Sequence, residues 1–261
     1  MSATAAPAPT IPVAYRPGPA LVRWALILAL LALWEISARY GDKLFIAPPS
    51  AVAVSGWTIL GDKRLVAAMT QALWELVVAF LIATSVGGVV GLLIGRIRIA
   101  TAILQPIVLF LYSMPQAPLL PLFVLAFGIG PASKIAFGVS HGVFPMIITV
   151  AAGVREVDPA LLRAARSMGA SGARTLWSIV LPSAGASFFT GLRLSMSSVL
   201  LGVLLAELFV SQAGIGYYTH RYADAFQPAK LLALISMLAA IAAGLNEMCR
   251  LVESRVNRWR A

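Results

Sequence analysis

GVREVDPALLRAARSMGASGARTLWSIVLP, residues Gly153–Pro182, lies between two long apolar runs and carries a helix whose start and stop are both written locally. Asp158 followed by Pro159 is a helix beginning: the aspartate supplies an acceptor for a free backbone N–H, and proline fits the first helical position, where a missing donor costs nothing. The run ALLRAARSM continues the helix, and Gly169 suits the position that closes it. Leu161, Leu162 and Ala165 share one apolar face, while Arg163 and Arg166 point elsewhere. A helix this short is unstable alone. It needs a surface to dock on, either lipid headgroups or a protein partner. A second short helix, Ala173–Val180, leads through Leu181-Pro182 into the next apolar run.

The setting of this segment follows from composition. Of 261 residues, 60% are apolar and 11% charged, with a mean hydropathy of +0.89. Soluble domains carry about 25% charged residues, so a soluble enzyme and a disordered chain are both excluded. The single cysteine, Cys249, cannot pair within the chain. Six stretches approach or exceed the ~20 residues that cross a bilayer: Leu21–Tyr40, Ala72–Ile94, Ile103–Phe127, Ile135–Ala152, Ala184–Val210 and Leu231–Cys249. The expected class is all-α and polytopic, with a membrane domain over residues 21–250. Residues 1–20, rich in Ala, Pro and Thr, read as a flexible cytoplasmic tail, and residues 251–261 as a second, cytoplasmic C-terminal tail. A cleaved signal peptide is the rival reading of residues 1–40. Glu35 and the lack of a small-x-small cleavage site favour a retained first span, in which Glu35 and Arg39 form an i, i+4 pair.

A net charge of +10 would point to nucleic acid in a soluble chain. In a membrane protein it reads as topology. With the N-terminus inside, twelve Lys and Arg fall in cytoplasmic segments and seven in external ones (Arg39, Lys43, Lys63, Arg64, Lys134, Arg221 and Lys230), with Arg193 inside the fifth span. That bias places both termini in the cytoplasm.

Other segments narrow the chemistry. In FIAPPSAVAV, Pro48-Pro49 enforces an extended turn and Ser50 is placed to cap a short surface helix over Ala51–Leu60. Gly87, Gly91 and Gly95 strip one face of the second span, so another helix can approach closely. Pro115, Pro118 and Pro121 break the third span. Broken helices at membrane depth line cavities or substrate paths, and Ser113, Met114, Pro115 and Gln116 at the break are the candidate path residues. Glu75 and Glu207 lie inside apolar runs. Glu207 is either a path residue or half of a buried pair, for instance with Arg193. Glu75 is expected to snorkel from the outer end of its span. His141 reads as hydrogen-bonded packing. No His/Cys cluster has metal spacing, no nucleophile–base pair stands out, and no G-x4-G-K-[ST] phosphate loop is present, so energy for any pumping must come from a partner or an ion gradient.

The Gly153–Pro182 segment resembles the cytoplasmic EAA loop of binding-protein-dependent ABC importer permeases, whose pattern is E-A-A-x3-G-x9-I-x-L-P. Arg163 stands in the place of the glutamate, followed by Ala164, Ala165, Gly169, Ile179, Leu181 and Pro182 at the family spacing. IAPPSAV, MPQAPLLPLFVLAFGIG (Met114–Gly130), AGVREVDP and AELFVSQAGIGY (Ala206–Tyr217) are similar to the nitrate/sulfonate/taurine branch, so the resemblance covers nearly all of the chain after the tail.

This resemblance implies a type I importer membrane domain in a bacterial inner membrane. The chain would be a permease and not itself an enzyme, working as a homodimer with two cytoplasmic ATPase subunits and an external solute-binding protein. It would bind no cofactor, ATP and magnesium belonging to the ATPase. Pro159–Met168 would be the coupling helix, with Pro159, Leu161, Leu162, Arg163, Ala164, Ala165, Arg166, Met168 and Gly169 meeting the ATPase. The substrate would be a small anionic or zwitterionic solute. An ion-driven secondary transporter is the alternative, favoured by broken helices and membrane carboxylates but not by six spans with a docking loop and no evident inverted repeat. A membrane-embedded enzyme lacks a catalytic constellation.

Overall fold

The computed structural model describes residues 19–41, 46–210 and 214–257. The expected N-terminal tail therefore falls almost wholly outside the described residues. Among the described residues there are eleven α-helices: α1 Pro19–Tyr40, α2 Pro49–Gly61, α3 Lys63–Arg96, α4 Arg98–Ser113, α5 Leu120–Phe127, α6 Pro131–Arg155, α7 Pro159–Ser167, α8 Gly172–Thr175, α9 Leu181–Val210, α10 Ile215–Asp224 and α11 Pro228–Asn257. Among the described residues five helices are long and apolar enough to cross a membrane, and a sixth span forms if α4 and the Ala117–Phe127 pair are taken together.

Three helices, α3, α6 and α9, make the core, and small residues set their spacing. Lipid provides no hydrophobic drive for helix association, so close van der Waals contact has to supply it. A Cβ added to Gly87 would stand 2.7 Å from the Met146 Cβ, one on Gly91 2.9 Å from that of Val150, and one on Gly95 2.7 Å from that of Val154. Both helices thus interlock at a stride of four. The expected packing role of these glycines is met, and α6 is the partner. On its other side α6 contributes glycines of its own. Gly138 and Gly142 receive Val203 and Val199 of α9, and Gly153 receives Ser187. In return Gly202 of α9 lies against the His141 ring.

The periphery is different. Within their span windows α3, α6 and α9 are 39–44% buried, whereas α1 is 6% and α11 11% buried. The Glu35–Arg39 pair forms at 2.7 Å. Ser50 does not act as the cap of α2: Pro48 holds the N-cap position. The Ser50 N–H and hydroxyl instead donate to the Glu35 carboxylate at 3.0 and 2.8 Å, so α1 caps α2 from outside.

Several boundaries move for physical reasons. The third span is two pieces bent by 89°. α4 ends before an extended Met114, a short 3-10 turn Ala117–Leu119 follows, and Pro118 and Pro121 sit in the first positions of the 3-10 turn and of α5, where no donor is needed. The expected second short helix is not separate. Gly172–Val210 is one 39-residue body, and Leu176–Val180 adopts a π turn in which Leu181 N–H reaches the Leu176 carbonyl. That widening falls immediately before Pro182, which has no N–H to give. The C-terminal tail expected at residue 251 is helical through Asn257. α10 is a helix that the sequence does not announce.

Candidate functional site

At the α7 end of the spans, the Asp158 carboxylate accepts from Ala160 N–H at 2.7 Å. At the other terminus Gly169 N–H donates to the Arg166 carbonyl and Ala170 N–H to that of Ala165, both at 3.0 Å, with Gly169 at φ +71°. This paired closure is the left-handed glycine stop the sequence predicts. The apolar face, however, divides. Ala165 is 1% exposed and Leu162 half-buried; both turn inward, Leu162 onto the cluster built around Val154, Val157 and Val180. Leu162 seats α7 on that cluster, and neither residue is on its free surface. Leu161, Met168 and Trp177 stay 49, 78 and 72% exposed. Pro159, Arg163, Ala164, Arg166 and Gly169 are also exposed. Arg96, at the end of α3, donates to the Gly172 carbonyl at 2.7 Å and ties the same region to the third core helix.

At the broken span the path candidates separate. Gln116 is half-buried, and its Oε1 accepts from the Ser140 hydroxyl of α6 at 3.0 Å. His141 follows Ser140, with Nδ1 3.0 Å from the Phe137 carbonyl. Because a carbonyl only accepts, Nδ1 carries the proton in that bond. This is the packing role expected of His141. Ser113 Oγ donates to the Phe110 carbonyl within its own helix at 2.8 Å, Met114 is half-buried and Pro115 exposed. Gln116, Ser140 and His141 are thus the polar cluster at the break. Glu207 does not join it.

Glu207 belongs to a buried charge triad toward the opposite end from α7. Lys134 Nζ lies 2.6 Å from Glu207 Oε1 and 3.5 Å from Glu75 Oε1. None of the three is more than 2% exposed. Gln71 Nε2 donates to Glu75 at 3.0 Å, and Gly216 N–H, at the start of α10, donates to Glu207 Oε2 at 3.0 Å. The triad therefore links α3, α6, α9 and α10. Three expectations are corrected here. Glu75 does not snorkel; it is enclosed. The cation for Glu207 is not Arg193, which lies 14 residues back on the same helix, about 20 Å away at the helical rise. Lys134 is not in an external loop, because α6 begins at Pro131 and takes it into the core. The missed signal was available: two acids in apolar runs require a cation, and Lys134 stands one residue before an apolar run.

Among the described residues no group of three or more His, Cys, Asp or Glu could hold a metal ion.

Comparison with known proteins agrees with this architecture. A family model described as "Binding-protein-dependent transport system inner membrane component" matches residues 87–258. The taurine transport system permease protein TauC of Escherichia coli (strain K12) is 31% identical over 240 residues, covering 89% of this chain and 87% of that protein. Putative aliphatic sulfonates transport permease proteins SsuC of Bacillus subtilis (strain 168) and E. coli are 26 and 27% identical, over 88 and 90% of this chain and 84 and 90% of theirs. In fold, the chain is similar to a subunit of the MetNI methionine ABC transporter in an inward-facing conformation, at a TM-score of 0.61 and 18% identity, over 77% of this chain and 99% of that one. With spans, α7 and sequence in agreement, the chain belongs to the binding-protein-dependent transport system inner membrane component family and is an ABC importer permease.

Proposed function

We propose that this permease carries a small sulfonate such as taurine, delivered by an external binding protein, through a homodimer driven by two cytoplasmic ATPase subunits. The substrate class rests on the 31% identity to the taurine permease over 89% of the chain. The drive rests on α7. It is capped at both ends and seated through Leu162 on the cluster of Val154, Val157 and Val180, and Leu161 on it, with Met168 and Trp177 beyond its end, stays uncovered. A helix fixed to the spans on one side and open on the other is a lever. ATP acts through it only by favouring one arrangement of the ATPase pair over the other, since a ligand shifts an equilibrium no further than its differential affinity allows. Both termini lie in the cytoplasm in this arrangement.

The solute path runs along the break in the third span, past Ser113, Met114, Pro115 and Gln116. The Gln116 amide nitrogen offers a donor to an anion there, while the Ser113 and Ser140 hydroxyls and the His141 Nδ1–H are already given to protein acceptors. Glu207, neutralised by Lys134, is structural and not a path residue. The test is uptake of labelled taurine into proteoliposomes holding the complete transporter. Uptake that requires ATP and survives collapse of the proton gradient is expected. Uptake that continues on a proton gradient without ATP would overturn the reading in favour of a secondary transporter.

A further inference from the structure

Seven Lys and Arg are assigned to the end of the spans away from α7, against the usual bias of membrane proteins. The structure accounts for two of them. Lys134 is enclosed by Glu75 and Glu207, and Arg39 pairs with Glu35. Three others, Arg64, Arg221 and Lys230, come from three separate helices and line one cavity of about 300 Å³, with Tyr218, Tyr222 and Gln227. A neighbouring cavity of about 590 Å³ shares Gln227 and Lys230 and adds Arg39.

Two of these cations stand against the dipole of the helix that carries them, while Arg221, in the last turn of α10, stands with it. Arg64 is in the first turn of α3 and Lys230 in the first turn of α11, where the positive end of the helix dipole disfavours a cation. Asp62 is the one carboxylate in the lining, and it already accepts from Arg64 N–H at 2.8 Å as the cap of α3. Lys230 Nζ lies 5.6 Å above the Tyr222 ring. Burial and the nearby Asp62 carboxylate push the Tyr222 phenol up, so it keeps its proton as a donor. The side chains of the cavity sum to a formal charge of +2, and of the helix ends beside it the N-termini of α3 and α11 add the same sign while the C-terminus of α10 opposes it. Arg64, Arg221 and Lys230 are exposed to water, so their mutual repulsion is small, but their convergence on one open cleft leaves a local positive potential that favours an anion within it.

We propose that this cavity is an anion site that takes a small tetrahedral oxyanion, sulfonate or sulfate in size. It stands on the charges of the cavity and does not depend on which solute the permease carries. A lipid headgroup phosphate shares this chemistry and is the other source of such a group.

The test uses the full-length permease in maltoside detergent, free of phosphate, with trifluoroethanesulfonate as a fluorine NMR probe. A saturable shift is expected, displaced by added sulfate in the wild-type protein. The apparent Kd should rise at least tenfold in R221Q/K230Q and stay within twofold in K230R, with thermal unfolding recorded for each variant. No saturable shift, failure of sulfate to displace the probe, or an unchanged Kd in R221Q/K230Q would overturn the site. Repeating the titration in nanodiscs of phosphatidylglycerol and of phosphate-free galactolipid separates the sources. A signal lost only with phosphatidylglycerol assigns the resident anion to lipid, and an equal signal in both assigns it to the solute.

Discussion

α7 and α10 are two short amphipathic helices at opposite ends of the same spans, nine and ten residues long, and they are held in opposite ways. α7 carries its own instructions: Asp158 opens it and Gly169 closes it, both within a dozen residues. α10 is opened by a residue of another helix, since Glu207 of α9 accepts the Gly216 N–H and is itself held by Lys134 of α6. α7 leaves apolar side chains uncovered, whereas α10 buries Ile215 and Thr219 and leaves Arg221 outside. A locally specified helix can be moved as a unit. A helix anchored through a buried charge network belongs to the rigid core.

This contrast can be broken at four places, in descending order of effect. Gly216 has no room for any side chain, because an added Cβ would overlap the Glu207 carbonyl. Gly216→Val should exceed the ~1–3 kcal/mol of ordinary overpacking and eliminate folded permease, read as yield and thermal unfolding in detergent; wild-type stability would show that α10 is not anchored by this approach. Next is Lys134→Met, which strands two buried carboxylates and should cost about 3–5 kcal/mol. Glu207→Gln in the same background should restore part of that loss, and a double-mutant cycle with no coupling would dismantle the triad.

At the α7 end the effects should be smaller in stability and larger in coupling. Gly169 sits at φ +71° with nothing within 4 Å of an added Cβ, so Gly169→Val carries backbone strain of about 1–3 kcal/mol confined to the helix end. The spans should fold while ATPase co-purification falls; undiminished coupled ATPase activity would count against the lever. Leu161→Ser, at a residue 49% exposed, should change stability by no more than about 0.5 kcal/mol yet lower ATPase retention several-fold. Equal retention would move the contact away from Leu161.

What could be read in advance follows the same division. The spans, the glycine face of α3, the proline break and both ends of α7 depend on neighbours in sequence, through hydropathy, missing Cβ atoms, missing N–H groups and caps. The glycines of α6 and α9 escaped notice because Gly138, Gly142, Gly191 and Gly202 show their purpose only beside Val203, Val199, Met146 and His141. Lys134 was misplaced because a charge beside an apolar run looks like a span boundary until its partners, 59 and 73 residues away, are known. Ser140 became part of the site only through Gln116, 24 residues earlier.

That the chain lives in a bilayer, where its spans break, and that one capped helix stands between two of them could all be read along the chain, because each is set by forces acting within a few residues. Tertiary structure alone decided which charges are enclosed, which face of α7 is free, and where the cations opposite α7 converge. Electrostatic pairing and close packing act across space, and only the folded spans bring residues so distant in the chain within a few ångströms of one another.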